Sequence, residues 1–112
     1  MLKIESIGDV SEVKFDNLQK LNVLVSETVK SELQKLFDKP NAKLLINMEG
    51  IHFLDSSGFA ALLSVSKTAQ KNNGQMIFCN ISPSALDLFK ILQLHTVFNI
   101  ITDQKEALKS FK

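Results

Sequence analysis

The sequence predicts a single α/β domain, a mixed sheet of four to five strands with four helices in the order β-β-α-β-α-β-α-β-α. Two kinds of pattern carry this expectation. Leu44-Leu45-Ile46-Asn47-Met48 and Met76-Ile77-Phe78-Cys79 are short, mostly apolar runs, as expected of strands covered on both faces. Around them, apolar residues recur at spacings of three and four, the period of a helix with one buried side. Strands that alternate with helices favour parallel pairing in the second half of the chain.

The elements follow in order. Lys3–Gly8 reads as a first strand, and Glu12-Val13-Lys14-Phe15-Asp16 alternates polar and apolar residues, the period of a half-buried strand. Gly8-Asp9 between them is turn chemistry, so the two are expected to form a hairpin. Leu24, Val25, Val29, Leu33, Leu36 and Phe37 define an amphipathic helix from Leu24 to Phe37, with Asn22 as its N-cap and Lys39-Pro40-Asn41 closing it. The Leu44–Met48 strand comes next, then the turn Glu49-Gly50 and the strand-like run Ile51-His52-Phe53-Leu54.

A second helix is expected from Phe59, where Phe59, Leu62, Leu63 and Ser66 follow helical spacing, and Gly74 suits a left-handed cap at its end. Ser82-Pro83 pairs an N-cap with proline at the first helical position. Leu86, Phe89 and Leu92 give that third helix its apolar side. Val97–Ile101 is a last strand, and Thr102-Asp103 caps a short final helix carrying Ala107, Leu108 and Phe111.

Composition narrows the function. The 112 residues suit one domain, spanning 1–112, and 45% of them are hydrophobic. At this size folding buries about two-thirds of the unfolded surface, enough for a core without disulfides. Net charge is +1, and the 13 lysines are scattered among 12 acids, so no basic stripe offers itself to nucleic acid. The single Cys79 fits a reducing compartment. There is no apolar signal segment at the N-terminus and no run long enough to insert in a membrane, so a cytoplasmic protein is expected.

Several chemistries lack their residues. The glycines Gly8, Gly50, Gly58 and Gly74 form neither a P-loop nor a dinucleotide fingerprint. Ser56 is followed by Gly58 but preceded by Leu54 rather than Gly, so it is not a nucleophile elbow. His52 lies close in sequence to Asp55 and Ser57, but a triad needs the imidazole placed between serine and acid, and His52 reads as a residue at the sheet edge. Cys79 and the two histidines lack metal-ligand spacing. No catalytic residue, metal or cofactor is expected.

One stretch does suggest a site. Asp55-Ser56-Ser57-Gly58 marks the passage from the Ile51–Leu54 run into the second helix. Such a junction presents free backbone N–H groups and the positive end of a helix dipole, which favour an anion. One hydroxyl suffices for a cap, yet two stand in a row. Gly58 weakens a first helical turn by about 1 kcal/mol relative to Ala, which makes sense where something must approach the backbone. If that something is a partner, a bulky residue at Gly58 is expected to harm binding more than folding.

The stretch Ile46–Leu63, with Asp55-Ser56-Ser57-Gly58 at its centre, resembles the signature of STAS domains, and within them the bacterial anti-sigma factor antagonists. The resemblance continues through Asn73-Gly74, the strand ending at Cys79, Ile81-Ser82-Pro83 and Leu94, and covers roughly residues 12 to 108. It implies a switch rather than an enzyme. Ser57 would be the phosphoacceptor, with Asp55, Ser56 and Gly58 supporting its turn and Asn22, Ser57, Gly58 and Phe59 meeting the partner. That partner would be an anti-sigma factor that is also a serine protein kinase, and a serine phosphatase would restore the unmodified form. Where many members carry Gly-x-x-Asp before the first helix, this chain has Gln19-Lys20-Leu21-Asn22, so Asn22 stands in the aspartate's place. The resemblance also admits a STAS interaction module of a lipid-transport or stress-signalling complex, in which Ser57 would be a cap and contact residue only.

Overall fold

The computed structural model describes all residues, Met1–Lys112. The chain runs β1 (Leu2–Ile7), β2 (Val10–Phe15), β3 (Lys20–Leu21), α1 (Ser26–Leu36), β4 (Lys43–Asn47), β5 (Phe53–Leu54), α2 (Ser56–Lys71), β6 (Gln75–Cys79), α3 (Pro83–Ile91), a 3₁₀ turn (Leu94–Thr96), β7 (Asn99–Ile100) and α4 (Gln104–Lys109). Five strands form a mixed sheet in the order β1-β2-β4-β6-β7. β1 and β2 are an antiparallel hairpin closed at Ile7 and Val10, and Gly8 supplies the positive φ, +62°, that a two-residue turn requires. The pairs β2–β4, β4–β6 and β6–β7 are parallel, as alternation of strands with helices predicts.

The period of two along the strands sorts side chains to opposite faces. Val13, Phe15, Leu44, Ile46 and Phe78 point to the larger core, where they meet Val29 and Leu33 of α1, Phe37 just after it, Leu62 and Val65 of α2, and Phe89 of α3. Val10, Leu45, Ile77 and Cys79 point to the other face, which α4 covers through Ala107. Four phenylalanines bind the larger core together edge to face. Phe89 lies 5.0 Å from Phe59, 6.1 Å from Phe78 and 5.8 Å from Phe98, measured between ring centroids.

The α4 face also holds a buried charge. Glu12 is 1% exposed, and its carboxylate accepts from Asn47 Nδ2 at 3.2 Å and from Gln104 Nε2. Asn47 Oδ1 in turn accepts from Asn80 Nδ2 at 3.2 Å and from the Glu49 amide at 3.1 Å. A buried carboxylate is tolerated only when donors surround it. This network joins α4 to the ends of β4 and β6. Cys79 lies on the same face, and burial, aided by Glu12, Asp103 and Glu49, pushes its thiol up to about 11, so it stays a protonated, unreactive core residue.

The structure departs from the sequence expectations at several boundaries. α1 starts at Ser26, because Asn22 winds a turn first: its Oδ1 accepts from the Leu24 amide at 3.1 Å and its carbonyl from the Ser26 amide at 2.9 Å. Leu24 is therefore outside the helix and 86% exposed. α2 begins one turn early, at Ser56. Its end uses Asn73 for the left-handed residue, φ +56°, while Gly74 is needed for room, since a Cβ there would meet the Phe37 ring at 2.7 Å. α3 buries Ala85 and Phe89 rather than a stripe running to Leu92, which is 52% exposed.

Because Phe89 touches three other rings at the centre of the core, Phe89→Ala should cost about 3–5 kcal/mol. A urea titration followed by circular dichroism checks this, the midpoint falling with little change in slope.

Candidate functional site

β3 and β5, outside the main sheet, pair in parallel as a two-stranded ladder, Lys20 beside Phe53 and Leu21 beside Leu54. Each strand ends there, and both chains turn at the same level. After Leu21 the chain enters the Asn22 turn, and after Leu54 it enters the cap of α2. The Asp55 amide extends the ladder by donating to the Leu21 carbonyl at 3.2 Å. The expected Asn22 and Asp55-Ser56-Ser57-Gly58 are thus brought side by side.

Asp55 is the N-cap of α2, with extended backbone. Its two carboxylate oxygens hold different segments. Oδ1 accepts from the Gly58 amide at 2.9 Å, the ordinary cap bond, while Oδ2 accepts from the Val23 amide at 3.1 Å. One side chain thereby fastens the loop before α1 to the first turn of α2. Both oxygens are committed to backbone amides, so Asp55 is not arranged to orient an imidazole. His52 is exposed, precedes β5, and donates its amide to Gln19 at 2.8 Å.

Gly58 is explained by internal packing. A Cβ built on it would lie 2.2 Å from the Leu21 carbonyl oxygen and 3.0 Å from its carbon. The thing that approaches the helix backbone is strand β3, not a partner. The expectation that a bulky residue at Gly58 would spare folding is therefore corrected, because any side chain there pushes β3 away from α2. Phe59, expected at a partner surface, is 4% exposed and stacks edge-on to Phe89, so its ring serves the core.

Ser56 is exposed, and Ser57 is half-buried. Ser57 lines a cleft of about 250 Å³ between α1 and α2, whose walls include Val23 and Ser26 on one side and Ala60, Ala61 and Ser64 on the other. The amides of Ser56 and Ser57 belong to the first turn, where no helical carbonyl can reach them. Asn22 faces the neighbouring groove of about 610 Å³, with Phe15, Gln19, Leu24, Gly50 and His52. The loop from Asn22 to Val25 contributes to both cavities, Val23 to the first and Leu24 to the second. Val23 is 67% exposed, so this loop presents two large apolar side chains to solvent beside the serine turn.

Neither the bridging bond from Asp55 to Val23 nor the β3–β5 ladder follows from the sequence pattern. β5 falls within the strand-like run Ile51–Leu54, but the two-residue β3 carries no period, and only Leu21, an apolar residue just before Asn22, hints at it.

A mixed sheet with three helices on one face, one on the other, and an aspartate-capped serine turn at its edge defines a STAS-type domain. The STAS domain model matches residues 3–107, and the chain belongs to that family. It is 22% identical over 92 residues, covering 82% of this chain and 79% of the relative, to BtrV of Bordetella bronchiseptica, whose name assigns it provisionally as an anti-sigma factor antagonist. Its fold resembles a STAS domain protein of Planctomyces limnophilus described as an anti-sigma-factor antagonist, with a TM-score of 0.89, 21% identity, and coverage of 98% of this chain and 97% of the other. It also resembles the Bacillus cell fate determinant SpoIIAA in its phosphorylated form, with a TM-score of 0.70, 19% identity and full coverage of both chains.

The packing at Gly58 and the clamp at Asp55 give linked expectations. Gly58→Ala should lower stability by about 3 kcal/mol through overpacking against Leu21. Asp55→Ala, which strands two amides, should cost about 2 kcal/mol. Thermal melts of the two variants measure both effects, and a Gly58→Ala melt equal to that of the parent would show that β3 does not press on the helix.

Proposed function

We propose that this protein is an anti-sigma factor antagonist controlled by phosphorylation on Ser57. In this reading it binds an anti-sigma factor that is also a serine protein kinase, and binding frees a sigma factor. The kinase then modifies Ser57, the complex parts, and a serine phosphatase restores the hydroxyl. In the modifying step the Ser57 oxygen bonds to the γ-phosphorus of ATP, the bond to the β-phosphate oxygen breaks, ADP leaves, and the hydroxyl proton passes to the kinase's base. The chain itself supplies an acceptor and a docking surface rather than catalysis, and it acts as one STAS domain, residues 1–112, in the cytoplasm.

The observation that carries this reading is the placement of Ser57 in the first turn of α2, next to exposed Val23 and Leu24 on a loop that Asp55 ties to the same turn. A hydroxyl there can be reached by another macromolecule, and apolar side chains beside it offer the contact area that a partner needs. Asn22 shapes that loop through its turn, Asp55 and Gly58 hold the serine turn against it, Ser56 is exposed, Ser57 lines the cleft half-buried, and Phe59 anchors α2 from below. No helix of the chain is long and apolar enough to cross a membrane.

The energetics suit a contact switch. A phosphate adds about −1.5 to −2 charges, and a helix N-terminus accommodates them without unfolding. Set against an acid of the partner at an effective dielectric near 20, such a charge costs a few kcal/mol. About 2.7 kcal/mol already weakens binding a hundredfold.

Incubation with the cognate kinase and ATP should add one phosphate to the protein, located at Ser57 by mass spectrometry, and Ser57→Ala should take up none. A stable complex with no modification at Ser57 would instead favour an interaction module of a transport or stress-signalling assembly.

A further inference from the structure

We propose that Lys30 is the internal counter-ion of a phosphate on Ser57, drawn from its resting ion pair with Glu27 when the phosphate arrives. The inference rests on the reading of Ser57 as the modified residue and adds how the modified state is held.

Ser57 and Lys30 line one cleft from opposite helices, α2 and α1. The surrounding side chains, Ser26, Ala60, Ala61 and Ser64, are small, so the space between them is left open. Lys30 is the only cationic residue lining it. At rest its Nζ donates to Glu27 Oε1 at 2.9 Å, a pair one turn apart on the same helix. The two partners are placed unequally: the Lys30 side chain is 28% exposed and that of Glu27 is 80% exposed. The lysine side chain is the more covered of the two, and the carboxylate stands in solvent at the edge of the cleft.

An exposed pair three residues apart on a helix is a weak interaction that is readily exchanged. A phosphate on Ser57 would offer more charge, three acceptor oxygens and the neighbouring first-turn amides. Asp55, the other charged group at this turn, is already held by the Val23 and Gly58 amides and does not compete for the lysine. Exchange leaves Glu27 unpaired at the rim, so one modification alters the docking surface twice, by the phosphate and by a freed carboxylate on the first turn of α1.

The test installs phosphoserine at position 57 during synthesis, with no kinase involved, and follows its second ionisation by phosphorus-31 NMR. Free phosphoserine titrates near about pH 6. The charged groups around it are Lys30 and Glu27 from α1 and Asp55 at the cap of α2. Removing the cation by Lys30→Gln should raise the midpoint by about 1 pH unit relative to the phosphorylated parent. Lys30→Arg should keep it low, and Glu27→Gln should lower it further by removing a like charge beside the phosphate. Lys30 is partly exposed on α1, and both substitutes are good helix formers, so melting temperatures should hold. An unchanged midpoint in Lys30→Gln, or in Glu27→Gln, would overturn the exchange. Such a result would leave open whether a kinase modifies Ser57, just as a kinase that ignores Ser57 would not move these midpoints.

Discussion

The arrangement of this domain's working edge depends on one carboxylate. Asp55 places one oxygen on its own helix and the other on a loop 32 residues earlier in the chain. Hydrogen bonds to a charged group are stronger than neutral ones. The two bonds do more than stabilise. They fix the distance between the apolar loop carrying Val23 and Leu24 and the hydroxyls of Ser56 and Ser57. A neutral cap such as serine would satisfy the helix, but its single oxygen could not serve both segments as well.

The clamp works because its foundations are rigid. β3 presses its carbonyl against Gly58 so closely that no side chain fits, and Phe59, the next residue, is held edge-on by Phe89. The first turn of α2 is thus packed from below and behind, and only its serine side is free. A charge added there acts on what lies in front of it. The fold need not move for the surface there to change. The same backbone recurs in the Planctomyces limnophilus protein at 21% identity.

Features determined by neighbours in sequence could be read in advance. Ser82 caps α3 ahead of Pro83 by accepting from the Ala85 amide, and Asp103 caps α4 by accepting from the Glu106 amide. The Gly8-Asp9 hairpin and the two buried central strands also follow from local chemistry. Features determined by distant packing could not. Gly58 carries a local cost that suggested a close approach, but only the fold shows that the approaching atom belongs to Leu21. Asn22 reads as a helix cap because its side chain does cap a turn, and nothing local says that the helix itself waits until Ser26. β3 is too short for any periodicity, yet with β5 it brings the site together.

The most direct measurement is titration calorimetry of the anti-sigma factor with this protein, unmodified and phosphorylated at Ser57. Tight binding of the unmodified form is expected, with a loss of at least about a hundredfold once the phosphate is in place. Equal affinities for the two forms would contradict it, for the serine at this capped turn would then not govern docking.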